Sequence, residues 1–314
     1  MVLAFVLGIV ATVLKSDLRF PDQLYIGLTI YLLMAIGLKG GYKLSLTPFA
    51  EFWKPGLVAI GLSLIIPLWC YPILRKLGTF DIPNAAAIAA HFGSVSVVTF
   101  SEALAFHDNI GIPYEGFMPS LLAIMEVPAI LVAIVLARTL MLRQGDAAHG
   151  APLDEVLREL LAGKSSILLI GSLLIGLVAG SSGWSQVAPL FDAPFRGVLT
   201  LFLLEAGLVT GRRLPDLKKA GVFLVGFGIL MPLLNATIGI LAGAVAGLSM
   251  GGATILGVLA ASASYIAAPA AVRVALPQAN PSYYLTVTLV ITFPFNILIG
   301  RPLYHAFAVW LYGG

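Results

Sequence analysis

GSVSVVTFSEAL at residues 93–104 and ASASYIAAPAAV at 261–272 are apolar stretches that each carry a Ser-x-Ser element in the middle of a run fit to cross a bilayer. Helix-forming sequence flanks both: NAAAIAAHF before and VVTFSEALAF after the first, GATILGVLA before and APAAVRVAL after the second. Gly93 is expected to relax the backbone, and the seryl hydroxyls to cap the half-helix that follows by accepting from its free amides. Pro269 suits a first helical turn, where no amide hydrogen is needed. Two interrupted helices are predicted, and Ser94 and Ser96 recur as Ser262 and Ser264, 168 residues on.

Composition says what surrounds these stretches. Of 314 residues, 59% are hydrophobic and 11% charged, against roughly 25% charged in soluble domains. Such a chain has too little polar surface for water, so its outer face must meet lipid. Apolar runs near 1–14, 21–42, 55–75, 83–107, 115–141, 165–181, 196–211, 220–247, 251–275 and 284–311 give ten expected spans. With the first span starting outside, 13 Lys and Arg face inward and 5 outward, which places both termini outside. The first 14 residues lack a basic leader and an A-x-A site, so they read as a retained span and not a signal peptide. The net charge of +3 is scattered through short loops, which excludes a nucleic-acid partner. Cys70 stands alone, so no disulfide framework can form.

Residues 144–163 form the one polar stretch. Within it PLDEVLRELLAGK sets Leu153, Val156, Leu157, Leu160 and Leu161 on one helical face, an amphipathic helix on the inner surface. It lies at the midpoint, and the halves on either side correspond. GLKGGYKL (37–44) pairs with GLVTGRRL (207–214), the Ser-x-Ser stretches pair with each other, and IMEVPAI (124–130) pairs with ITFPFNI (291–297) when Pro128 meets Pro294. Five spans is an odd number, so the second copy runs upside down, the inverted-repeat plan of secondary transporters. The fold class expected is an all-α polytopic membrane protein of ten spans in two inverted five-span repeats, the fourth and ninth helices broken. Residues 1–142 form the first repeat, 143–164 a cytosolic linker and 165–314 the second repeat.

A helix break is tolerable at membrane depth only where protein or a watered cavity surrounds it. In an inverted repeat the half-helices beginning near Ser96 and Ser264 start near the midplane and run apart. Each start offers about half a positive charge and free amides, a pocket for a small anion with oxygen acceptors. Glu126, an intramembrane carboxylate before Pro128, is a candidate sodium ligand beside carbonyls freed at the break, with Thr292 its counterpart in the second copy and the Ser96 and Ser264 hydroxyls completing the set. The alternative is a structural carboxyl. His91, Glu102 and Glu205 are read either as proton carriers or as local structural groups, Asn296 as a helix-packing contact in preference to a substrate ligand, and Arg273 as a snorkelling cation in preference to a substrate ligand.

GSVSVVTFSEAL, then MEVPAI, then LAASASYIAAPAAVRVALPQANPS resembles the sodium-dependent bicarbonate transporters of the cyanobacterial SbtA type along essentially the whole chain. The most specific piece is AAS-x-S, a Pro, then R-x-x-x-P-x-A-N-P-S, here 260–264, Pro269, Arg273, Pro277 and 279–282. The resemblance implies a core domain moving against a gate domain, each built from both repeats, a homotrimer in a bacterial inner membrane, and sodium-coupled uptake of bicarbonate. It also implies bicarbonate contacts from Gly93, Ser94, Val95 and Ser96 with Ala261, Ser262, Ala263 and Ser264, largely through amides and hydroxyls. Two departures stand out. Tyr265 follows the second serine pair where the family has an acidic residue, which leaves sodium or proton coupling open. The central segment is shorter than in the cyanobacterial members, which bears on docking of a PII-like regulator.

No cofactor is expected beyond sodium as coupling ion. An enzyme would need a nucleophile with its base, or a metal cluster. His91, His107, His149 and His305 make no zinc spacing and no Asp-rich diphosphate motif occurs. The rival transport reading is a sodium- or proton-coupled symporter of another small anion such as a short monocarboxylate, because amide ends and serines do not discriminate it from bicarbonate.

Overall fold

The structure, a computed structural model, describes residues 1–145 and 150–313. The described elements are all helical. The first half holds α1 (Val2–Val13), α2 (Asp22–Ser45), α3 (Phe49–Lys76), α4 (Ile82–Gly93), α5 (Val97–Ile110), α6 (Met118–Glu126) and α7 (Pro128–Arg143). After α8 (Leu153–Ala162) come α9 (Lys164–Phe191), α10 (Phe195–Arg213), α11 (Leu217–Val245), α12 (Met250–Ala261), α13 (Ala267–Ala275) and α14 (Pro281–Tyr312), whose backbone passes through π-helical turns at Val287–Thr292 and Asn296–Gly300.

Each of the ten expected spans holds helix, and among the described residues seven stretches are long and apolar enough to cross a membrane. The other three fall short for separate reasons. α1 has 12 residues, about 18 Å at 1.5 Å each. α10 is long enough but carries Arg196, Glu205, Arg212 and Arg213. The ninth is split into α12 and α13. α9 also outruns its expected end at 181, continuing to Phe191 through a bend where Gly180 takes φ +58°, a conformation open to glycine. Apolar side chains such as Val178 and Val222 stand almost fully exposed on the outer surface, where a bilayer would cover them.

Local chemistry sets the helix starts. Asp81 accepts from the Asn84 amide at 2.8 Å at the head of α4, where Pro83 occupies the first turn. Ser249 accepts from the Gly252 amide to begin α12, and its own amide donates to the Glu115 carboxylate at 2.6 Å. The amphipathic α8 buries Val156 and Leu160 against α9 and α13, while Leu153, Leu157 and Leu161 stay exposed. Residues 146–149 of the linker lie outside the described residues.

Small residues govern how the helices lie together. α2 runs along α9 and α1 along α10. A Cβ on Gly37 or Gly41 would come within 3 Å of Leu169 or Leu173 carbonyl oxygens of α9. On Gly207 it would meet the Phe5 carbonyl of α1, and on Gly211 the Thr12 side chain. The glycines that align in sequence, 37 with 207 and 41 with 211, therefore do the same work: each lets its own helix lie close against a neighbour, α2 against α9 and α10 against α1. In both sets of glycine contacts the residue numbers rise together, so α1 and α10 run parallel, as do α2 and α9 up to Gly180; beyond it α9 turns back along α2, Trp184 stacking on Tyr42 and the Leu190 carbonyl accepting from Tyr31.

The interior belongs to α4 and α5. Of the most apolar window across Ile82–Ile110, 94% is buried by other helices, against 22% for Lys164–Phe191. The backbone is interrupted in the most protected span, where neighbouring helices can satisfy it in place of lipid.

Candidate substrate and cation site

α4 ends at Gly93 and α5 begins at Val97; between them Ser94 and Ser96 are extended. α12 ends at Ala261, Ser262 is extended, and α13 begins at Ala267. Ser94 (φ −88°, ψ 174°) and Ser262 (φ −75°, ψ 162°), aligned in sequence, hold nearly the same backbone conformation. Gly93 corrects one expectation. It keeps a negative φ and closes α4 in ordinary helix, so it does not relax the backbone. Its small size is what matters, since a Cβ there would lie 2.5 Å from Pro67 and 2.7 Å from Ala129.

The polar groups exposed by the breaks find partners across the pair. The Ser96 amide donates to the Ser262 hydroxyl at 2.9 Å, and the Ser264 amide to the His91 carbonyl at 2.9 Å. Ser96 Oγ accepts from the Thr99 amide at 3.2 Å and from the Thr99 hydroxyl at 3.0 Å. Ser264 Oγ accepts from the Ala268 amide at 3.2 Å, and Pro269 follows with no amide hydrogen. Helix geometry leaves Val97, Val98 and Ala267 without intrahelical acceptors.

Both half-helix starts line one cavity of about 10 Å³, room for a single water. Its walls are Val95, Ser96 and Val97 from the first break, Ser264, Tyr265, Ile266 and Ala267 from the second, and Glu126 and Ser165. α5 leads from there to His107 and Asp108, on the wall of a 790 Å³ cavity at the C-terminal ends of α2 and α9. α13 leads the other way, to Ala270 on a 320 Å³ cavity at their N-terminal ends, beside α8. The two starts thus converge on one point and their helices run apart, so their positive ends sum there. The smaller outer cavity shares Ser165, Ile266 and Ala267 with the central one. The larger is ringed by Lys39, paired with Asp192 at 2.7 Å, by Arg196, which reaches Asp108 at 3.5 Å, and by Lys43.

Glu126 closes α6, just before an interruption at Val127, which keeps helical dihedrals (φ −95°, ψ −43°) while Pro128 has no amide to donate. The carboxyl is 2% exposed; Oε1 accepts from the Ser165 hydroxyl, and Oε2 is buried with no hydrogen-bond partner among the described residues. The backbone carbonyls of this break are engaged by side chains. Ser63 donates to Met125 at 3.0 Å while accepting from the Ala129 amide, and Ser94 donates to the Glu126 carbonyl at 2.7 Å. What Glu126 offers inward is carboxyl oxygen.

The remaining candidates divide. Val95, Ser96 and Ser264 line the cavity with Glu126; Gly93, Ser94, Ala261, Ser262 and Ala263 are buried behind it as framework. Thr292 is not on its wall and donates to the Gly228 carbonyl at 2.8 Å. Asn296 has a packing geometry, donating to the Ala261 carbonyl at 2.9 Å and accepting from Tyr304 at 2.7 Å. Glu102 is ion-paired with Arg301, and Glu205 with Arg212 at 2.8 Å. His91 Nδ1 meets the Ala87 carbonyl at 2.6 Å while the ring stacks on Tyr284. Arg273 is exposed, and His149 lies outside the described residues. Ser165 is a site residue the sequence does not advertise: it opens α9, 39 positions from the carboxyl it serves.

No curated protein matches the chain. The family model of the Na+-dependent bicarbonate transporter superfamily matches residues 1–309, nearly the full length. This agrees with the resemblance carried by the two serine stretches, and with a helical body able to cross a membrane several times. The chain is a membrane transport protein, not an enzyme, and belongs to the Na+-dependent bicarbonate transporter superfamily.

Proposed function

We propose that this protein imports bicarbonate together with sodium by alternating access, through a site where the two half-helix starts meet Glu126. The observation that carries this reading is the central cavity: two helix N-termini from different halves of the chain and one buried carboxyl line the same small space. The helix starts and the seryl hydroxyls favour an oxyanion. An unpartnered carboxylate oxygen beside them favours a small cation, which lowers the cost of bringing an anion next to Glu126. The cation contacts proposed are Glu126 with the Ser96 and Ser264 hydroxyls; Thr292 keeps its hydroxyl on Gly228. Larger cavities at opposite ends of α2 and α9, separated by a site with room for one water, suit a carrier that opens to one side at a time.

Ten spans in two inverted repeats, both termini outside in a bacterial inner membrane, complete the reading. It is supported by the glycine contacts that α2 makes on α9 and α10 makes on α1, and by the matched backbone of Ser94 and Ser262.

The test is uptake of labelled bicarbonate into proteoliposomes at fixed pH, with a sodium gradient or with potassium in its place. Sodium-driven accumulation that potassium abolishes is expected. Equal uptake in potassium removes sodium coupling, and accumulation of formate or acetate in preference to bicarbonate reassigns the substrate to a short monocarboxylate.

A further inference from the structure

Glu126 is not the only wall residue of the central cavity with an unmet polar atom. Tyr265 directly follows Ser264 in the second break. Its hydroxyl is buried beside the Ser96 side chain, without a hydrogen bond of normal geometry among the described residues. The ring is held firmly. It meets Phe293 of α14 edge-on, centroids 5.2 Å apart, and Phe293 meets Phe5 of α1 in the same manner at 5.4 Å. A phenylalanine would serve that aromatic chain equally well. A buried hydroxyl left with only a poorly aligned neighbour forfeits part of the roughly 1–3 kcal/mol that a good partner would restore, so its presence on the wall of the site calls for an explanation.

The chemistry of the two orphan groups is complementary. Glu126 Oε2, when ionised, can only accept or bind a cation, whereas a phenol has a proton to donate. A cation and an anion entering together would satisfy both, the first on Glu126 and the second on Tyr265. We infer that Tyr265 is a substrate-contacting residue whose phenol donates a hydrogen bond to an oxygen of the transported anion, setting anion affinity while Glu126 sets cation affinity. The inference rests on the proposed transport reading and adds to the helix-start amides a neutral donor that introduces no further charge into the site.

The decisive variant is Tyr265→Phe in the full-length protein, assayed for uptake in proteoliposomes beside the wild type, with bicarbonate and with formate. A hydrogen bond to a charged group is worth about 1.5–3 kcal/mol, and 1.4 kcal/mol is tenfold. The KM for the anion should therefore rise about tenfold or more, while half-saturation by sodium at saturating anion stays as in the wild type. Melting of the anion-free protein should be unchanged or higher, since an unpaired buried hydroxyl has been removed. As a second probe that keeps the ring and the donor, 3-fluorotyrosine at position 265 makes the phenol more acidic and should lower the KM. Wild-type KM in Tyr265→Phe overturns the inference, as does a fall in melting temperature with KM unmoved, which marks a purely structural ring. If the wild type itself takes up neither anion, the transport reading and this inference fall together; uptake by the wild type with no effect of Tyr265→Phe removes this inference alone.

Discussion

The backbone amide of Ser96 donates to the side chain of Ser262 at 2.9 Å, joining the two helix breaks by a bond that spans 166 residues of sequence. Ser262 passes the interaction on, donating its own proton to the Leu259 carbonyl at 2.8 Å. One hydroxyl thus serves both broken helices at once: it accepts from the end of the first gap and caps the carbonyl end of α12. In a low-dielectric interior each of these groups would be costly to leave alone.

Ser262→Ala should therefore destabilise the protein by about 1–3 kcal/mol, the cost of a buried amide left without an acceptor. Ser262→Thr, which keeps the hydroxyl, should recover most of it. Thermal unfolding in detergent measures the difference, and an alanine variant as stable as the parent would show that the link carries no weight.

Ser96 and Ser264 act on the half-helix starts themselves. Replacing either by alanine removes a cap from the Thr99 or the Ala268 amide, a loss of about 0.5–2 kcal/mol, and takes a hydroxyl from the cavity wall. Both variants should insert and fold while taking up bicarbonate several-fold more slowly at low concentration. Unaltered uptake in both would remove the anion from this site.

Glu126→Gln keeps an oxygen for the Ser165 hydroxyl, so the local structure should persist. What goes is the negative charge. The sodium concentration for half-maximal uptake should rise about tenfold or more, and a sodium titration of uptake by this variant checks it. An unchanged sodium dependence would return Glu126 to a structural role.

The glycine contacts make a paired prediction. Gly41→Ala and Gly207→Ala each push a Cβ to about 2 Å from a carbonyl oxygen of the neighbouring helix, and backbone cannot yield as a side chain tip can. Each should cost about 1–3 kcal/mol. Gly27→Ala, with nothing within 4 Å of the added carbon, should be neutral or stabilise by up to about 1 kcal/mol. Melting temperatures of the three purified variants decide whether close helix approach is the reason for these glycines.

Buried Glu102 pairs with the partly buried Arg301, whose guanidinium also lies 4.2 Å from the centroid of the Phe106 ring. Removing one partner leaves the other charge unpaired, at about 3–5 kcal/mol. Arg301→Met alone should yield poorly folded protein, and Arg301→Met combined with Glu102→Leu should recover folded material measurable by size-exclusion chromatography. A double variant as poor as the single one would mean that the arginine acts by more than neutralising Glu102.

Much of the site was legible because it is local. Ser-x-Ser with helix-forming sequence on both sides announces a break, Pro269 announces a helix start, and recurrence of the motif 168 residues on announces that there are two. Glu126 is conspicuous because a carboxyl in an apolar run is expensive. The rest required the chain to fold back on itself. Gly93 looks the same in sequence whether it frees the backbone or lets Pro67 come close, and only the packed neighbour tells the two apart. Thr292 aligns with Glu126 in the repeat, yet its hydroxyl serves Gly228, because α11 lies beside it.

What the amino-acid order determined by itself is the solvent and the punctuation. An apolar chain of this composition must lie in lipid, and small polar residues within its spans must interrupt the helices where they occur. Only the tertiary structure decided which interruptions face each other, that Ser165 and Tyr265 join them at the same cavity, and that the carbonyls around Glu126 are engaged by Ser63 and Ser94. The physical reason is range: capping and helix propensity act within a turn or two of the chain, whereas hydrogen bonds between Ser96 and Ser262 or between Ser165 and Glu126 exist only once distant helices have been brought into contact.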